Sequence, residues 1–302
     1  MTDLHGISSA EQYQGAVALG DRGSSHYIST LMSRKNANDP DPDGNKIATS
    51  IESCLRIASM DGFDHSTAPP EYNELKWLAD IFVIGMAVGW VAHYVEMIHI
   101  SFKDQTYCMT IGGLCINFAW EIIFCTMYPA KGFVERVAFL MGISLDLGVI
   151  YAGIKNAPNE WHHSAMVRDH MPLVFAATTI CCLSGHMALT AQVGPAQAYT
   201  WGAIACQLFI SIGNVFQLLS RGNTRGASWT LWTSRFFGST SAIGFALVRY
   251  IRWWEAFSWL NCPLVLWSVV MFFLFEILYG ALFYSVKRQE ERSQCGIKHK
   301  ER

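Results

Sequence analysis

The sequence predicts an all-α chain, an integral membrane bundle of seven transmembrane helices, and three observations predict it. Hydrophobic residues make up 51% of the 302 and charged residues only 15%, whereas soluble domains carry about 25% charged residues. Nearly all of the Trp and Phe residues lie after residue 75. That same region divides into seven apolar segments of roughly the 20 residues a helix needs to cross hydrocarbon: 78–100, 108–128, 133–154, 172–193, 199–219, 231–251 and 262–285, joined by short loops. Strands of a membrane barrel would alternate in character over segments of about ten residues.

Residues 1–59 read differently. "GDRGSS", "NANDPDPDGNK" and scattered charges offer too little apolar surface to fold alone, so a disordered N-terminal tail is expected. Within it, Asp39, Asp41, Asp43 and Gly44 match the opening of a calcium loop. The twelfth position is Ser50, where a bidentate Glu is needed, so a solvated turn is the better reading. No signal-peptide core is present, which leaves insertion to the first span. Specific character begins at Met60, and the preceding tail is expected to be dispensable for activity.

The first span ends near Glu96, with His93 and His99 three residues to either side, an arrangement suited to an interface. The second carries a polar stripe: Thr110, Gly113, Asn117, Glu121, Phe124 and Tyr128 fall on one helical face, while the rest is Ile, Leu, Phe, Ala and Cys. That face should turn inward. Glu121 then sits in an apolar setting that favours a neutral acid able to donate a proton.

The third span holds another acid, Asp146, in "SLDLGVIY". The loop "EWHHSAMVRDH" has only weak metal spacing and reads as solvated. On the sixth, Arg235 and Arg249 can snorkel or pair with acids. The seventh repeats the theme of the second, since Phe272, Glu276, Tyr279, Gly280 and Phe283 share a face. The expected boundaries place Glu121 and Glu276 about 10 Å apart in depth. Each acid could serve only an interhelical hydrogen bond; two of them among aromatic rings, neither with a basic residue at helical spacing, favour a functional role.

Lys103, Lys155, Arg168, Arg221, Arg225, Lys287, Arg288 and Arg292 outnumber Lys76, Lys131, Arg136, Arg249 and Arg252 on the opposite side. That puts the C-terminus, with a charged tail over 289–302, in the cytosol. A net charge of −2 leaves no basic face for a nucleic-acid partner. The cysteines fall mostly in spans, as small buried hydrophobes rather than a disulfide frame, and no metal site or cofactor is expected. Several seven-span functions are excluded. No Lys lies between Cys262 and Tyr284 to carry retinal, and neither Asp-Arg-Tyr nor Asn-Pro-x-x-Tyr occurs. The Asp-Asp-x-x-Asp metal site of soluble terpene cyclases is absent too.

From Met60 to about residue 288 the chain resembles the fungal integral-membrane terpene cyclases, most nearly the paxilline-type cyclases of indole diterpene pathways. The resemblance rests on "MDGFDHSTAPPEY", "ADIFVIGMAVGWVAHYV", "ISFKDQTY", "NFAWEIIF", "GPAQAYTWGAIACQL", "LLSRGNTRGASWTLWTSRFFGS", "EAFSWLNCPLVLWS" and the Glu276 helix. It implies a seven-span, metal-independent, non-oxidative enzyme of the endoplasmic reticulum that protonates an epoxide on a prenyl chain and so starts a cationic cyclisation. The implied catalytic acids are Glu121, in an Asn-x-x-Trp-Glu motif, and Glu276. Asn117 would orient Glu121. Trp120, Phe272 and Tyr279 are the candidates to face its cations, Phe124 is a further candidate for the substrate site, and Asp146, outside the family pattern, is a further pocket candidate.

The implied substrate is an epoxidised geranylgeranyl-indole partitioned in the bilayer. A prenyltransferase and an FAD-dependent epoxidase would be pathway partners, and the product an emindole- or paspaline-like skeleton. An epoxyfarnesyl meroterpenoid substrate, or a proton-coupled lipid or small-molecule transporter using the same acids, are the alternatives.

Overall fold

The computed structural model describes residues 68–129 and 133–300, all within one compact unit, Leu55–Arg302. The N-terminal tail and its Asp39–Gly44 turn lie outside the described residues. Among those residues the fold is all helical: α1 (Pro70–Glu74), α2 (Lys76–Asp104), α3 (Ile111–Ile122), α4 (Phe133–Asn156), α5 (Ala165–Asp169), α6 (Met171–Val193), α7 (Pro195–Arg221), α8 (Trp229–Arg252), α9 (Trp254–Phe257) and α10 (Pro263–Lys300).

Each of the apolar segments expected from sequence falls on one of the longer helices. Four of these, α2, α6, α7 and α10, are long and apolar enough to cross a membrane, so the wider expectation of seven spans is met only in part by length and composition. The physical reasons are local. On α3 the α-helical run stops at Ile122 and a π-turn, Ile123–Met127, completes a short apolar segment. α8 carries Arg235 amid Thr233, Ser234, Ser239, Thr240 and Ser241. The outer surface is apolar: Ile84, Leu173, Ile180, Phe216, Leu266 and Ile277 are each more than 60% exposed. The polar residues Asn117, Glu121, Asp146, Arg235 and Glu276 lie inside. That inversion of the soluble pattern is what a lipid solvent selects.

Helix ends follow their sequences. Thr110 caps α3 by accepting from the Gly113 amide at 3.2 Å. The Thr126 hydroxyl donates to the Ile122 carbonyl at 2.7 Å, drawing that carbonyl from the ladder. Just beyond it the Tyr128 amide reaches Ile123, the wide turn that ends the helix before Pro129. Gly194, at φ 80°, and Pro195 form the tight corner between α6 and α7, and Gly222, at φ 62°, closes α7.

Helix α3 is central, packed against α4, α6 and α7, while α2 lies along α8 and α10 lies along α7. The α2–α8 contact uses small residues. A Cβ on Gly89 would lie 2.6 Å from the Gly238 Cα, and one on Gly85 would lie 2.8 Å from Ser241 Oγ. Gly85 and Gly89 thus form a G-x-x-x-G face that brings two backbones into contact. Gly89→Leu meets backbone that cannot yield, and its membrane-fraction abundance is expected to fall several-fold, with a stability loss of about 1–3 kcal/mol. Gly112, with nothing within 4 Å of its Cβ position, should accept Ala with no change in abundance.

Candidate active site

The polar stripe of α3 faces inward, with Asn117, Glu121 and Phe124 all buried. Helices α2 and α4 complete the cluster. Asn117 Nδ2 donates to the Tyr94 hydroxyl at 2.8 Å and to Asp146 Oδ2 at 3.0 Å, using both of its N–H groups. The Tyr94 hydroxyl donates onward to Glu121 Oε1 at 3.1 Å. The direct approach of Asn117 Nδ2 to that oxygen is long, 3.5 Å. Asn117 therefore orients Glu121 chiefly through Tyr94, a bridge that spacing on α3 alone could not reveal. A chain of donors of this kind polarises along its length.

Glu121 Oε2 and Asp146 Oδ1 are buried and receive no donor from Tyr94 or Asn117, and the two carboxyl groups lie within hydrogen-bond reach of one another. The groups that bind the two acids, Tyr94 and Asn117, are neutral. Two carboxylates at close quarters in an apolar interior repel, so the cluster is built to retain a proton. Opposite Glu121 stands Gly142 on α4, whose Cβ position lies 3.7 Å from both carboxyl oxygens. The missing side chain leaves a notch directly at the acid.

Aromatic rings gather one turn further along α3. The Trp120 ring lies 4.9 Å from that of Tyr199, 5.5 Å from Phe124 and 5.9 Å from Phe139, and Phe124 meets Tyr199 edge-on at 5.1 Å. The Trp120 Nε1–H donates to the Tyr199 carbonyl at 3.0 Å. Gly202 makes room for this ring, since a Cβ there would lie 2.5 Å from Trp120 Cδ1. Tyr199 and Phe139, with Tyr94, are the members that sequence reasoning missed. None carries a charge, and each is brought in from another helix.

Glu276 belongs to a separate network. Arg235 Nε and Nη2 donate to its two oxygens at 3.1 and 3.0 Å, and the Ser211 hydroxyl donates to Oε1 at 2.7 Å. Arg235 is 2% exposed and Glu276 fully enclosed. The absence of a basic residue at helical spacing on α10 is made good by one from α8, in line with the expected capacity of Arg235 to pair with an acid. Tyr279 stacks beneath the Arg235 guanidinium at 5.3 Å, and Phe272 lies on Phe236 with rings nearly parallel. The candidates thus divide into Asn117, Trp120, Glu121, Phe124 and Asp146 on one side and Phe272, Glu276 and Tyr279 on the other. No hydrogen bond joins the two sets among the described residues. Outside both, Glu96 accepts from Ser228 at 3.0 Å near the end of α2, and Glu160 of the histidine-rich loop pairs with Arg225 at 3.3 Å.

Residues 63–289 match the family described as Pyr4-like transmembrane terpene cyclases. The chain is 53% identical to terpene cyclase paxB of Penicillium paxilli over 232 residues, 77% of this chain and 96% of that protein. It is 50% identical to terpene cyclase nodB of Hypoxylon pulicicidum over 239 residues, 78% and 98% of the two chains. With terpene cyclase idtB of Claviceps paspali the identity is 43% over 236 residues, 78% and 99%. No solved structure matches. The match covers the helices that carry both acidic networks, and the likeness to fungal integral-membrane terpene cyclases read from the sequence is the one the comparisons give: the chain belongs to the Pyr4-like transmembrane terpene cyclases.

Proposed function

We propose that the protein is a metal-independent cyclase of the endoplasmic reticulum membrane, seven helices across with its C-terminus cytosolic. Its substrate on this reading is an epoxidised geranylgeranyl-indole, supplied by a prenyltransferase and an FAD-dependent epoxidase. Glu121 delivers its proton to the epoxide oxygen. The carbon–oxygen bond at the tertiary carbon breaks, and its electron pair stays on oxygen as a hydroxyl. The carbocation is captured by the neighbouring alkenes in turn, and a final proton loss makes the product an isomer of the substrate.

The observation that carries this reading is the Glu121 carboxyl. One oxygen accepts from Tyr94, and the carboxyl stands within hydrogen-bond reach of Asp146 and beside the Gly142 notch. An acid anchored through one oxygen and paired with a second carboxyl has the geometry of a positioned general acid. Asp146 shares Asn117 with it and stands within hydrogen-bond reach of it, acting as a positioning residue. The rings of Trp120, Phe124, Phe139 and Tyr199 offer faces to developing positive charge, each worth roughly 0.5–2 kcal/mol. Phe272 and Tyr279 line the wall held by the Glu276–Arg235 pair.

Microsomes containing the full chain, given the epoxidised prenyl-indole, should yield a cyclised product of unchanged mass. Recovery of unaltered epoxide would refute the substrate assignment, and turnover of an epoxyfarnesyl meroterpenoid in its place would redirect it. Asp146→Asn should keep abundance and shift the pH profile of turnover, because it removes the second carboxyl within hydrogen-bond reach of Glu121. An unmoved profile would deny Asp146 that part.

A further inference from the structure

Between the π-turn of α3 and the first turns of α4 lies a cavity of about 190 Å³, lined by Phe124, Cys125, Pro129, Arg136, Phe139 and Leu140. Its place is defined by the acid. Phe124 and Cys125 stand one helical turn beyond Glu121, and Phe139 and Leu140 stand less than a turn before Gly142. By helical position the cavity thus neighbours the notch and the acid along the α3–α4 cleft, with neither Glu121 nor Gly142 in its lining. The lining is apolar and aromatic apart from Arg136. Leu140, 57% exposed, and Met127, 51% exposed, mark where the cleft opens on the outer, lipid-facing surface. The π-turn, Ile123–Met127, lies at this point, in keeping with the tendency of such turns to fall at functional sites.

Resting on the cyclase reading above, we propose that this cleft is the prenyl subsite and entrance. The epoxide sits in the Gly142 notch against Glu121 Oε2, and the isoprene unit next to it occupies the cavity. The remainder of the chain trails out of the cleft toward the lipid. Size supports one unit rather than a whole chain: a cavity of about 150 Å³ accommodates benzene, so 190 Å³ suits a single isoprene unit and not a folded polyprenyl. The chain therefore enters epoxide first, and Phe124 and Phe139 form the wall that the first alkene meets.

Cys125 gives a readout independent of turnover. Microsomal protein is alkylated with N-ethylmaleimide, with and without the epoxidised prenyl-indole, and the modified cysteines are quantified by peptide mass spectrometry. The substrate should slow modification of Cys125 at least fivefold and leave exposed Cys181 on α6 unchanged. Equal modification of Cys125 in both arms, in microsomes that turn the substrate over, overturns the proposal. As a second measurement, Leu140→Trp fills the cavity from its outer rim. It should cut kcat/KM more than tenfold with abundance retained, and wild-type kinetics in that variant likewise overturn the subsite. Absence of turnover in the wild type would instead count against the cyclase reading itself.

Discussion

Glu121→Gln should accumulate to the level of the wild type and make no cyclised product, a loss of about 10²–10⁴ in rate. The amide has the shape of the acid and keeps an oxygen to accept from the Tyr94 hydroxyl, which now binds at 3.1 Å. The Asn117 links to Tyr94 and Asp146 do not involve Glu121, so the fold around the substitution has no reason to change. What is lost is the one transferable proton beside the Gly142 notch. Glu121→Asp makes the companion test. Its carboxyl is an acid still, but one methylene shorter, which withdraws it from both Tyr94 and the notch. A displacement of about 1 Å can cost roughly a hundredfold, so Asp should retain trace turnover where Gln retains none. Product analysis with the defined epoxide, normalised to protein detected in the membrane fraction, reads both. Unchanged turnover in Glu121→Gln would end the general-acid assignment.

The sequence made the helices and the inward stripe legible because both depend on local periodicity. Seven apolar segments and the face through Gly113, Asn117 and Glu121 can be counted from one strand of text. Partners across the bundle cannot. Tyr94, which stands between Asn117 and Glu121, sits in a first span whose polar residues, His93 and Glu96, drew attention to its end. Arg235 was visible as a charge in a helix, yet nothing in its own segment told that Glu276 would take both of its donors. Phe139 and Tyr199 were hidden for a related reason, since an aromatic residue in an apolar run reads as packing until its neighbours are known. Gly142 is a further case. Its function is an absence of side chain opposite an acid on another helix, and an isolated glycine in a helical pattern signals nothing so specific.

Breaking the Arg235–Glu276 pair should be as damaging to the protein as losing Glu121 is to the chemistry, and by a different route. Both groups are buried, joined by two parallel bonds of 3.1 and 3.0 Å, and Glu276 also receives the Ser211 hydroxyl. Removing one partner strands the other charge in an apolar interior, at a cost of about 3–5 kcal/mol. Arg235→Met and Glu276→Leu, made singly, should therefore nearly vanish from the membrane fraction. Made together, they leave no unpaired charge, and the Ser211 hydroxyl can turn to a carbonyl of its own helix, so abundance should return. The double variant separates two roles that single substitutions confound. With Arg235 engaging both oxygens and Ser211 one of them, Glu276 is held by a cation where Glu121 is held by neutral groups, and its carboxylate neutralises a guanidinium that would otherwise repel a carbocation. Turnover is accordingly expected to recover with abundance in the double variant. Abundant but inactive protein would instead place the Glu276 carboxylate in the reaction, and measuring turnover per molecule of folded protein decides between the two.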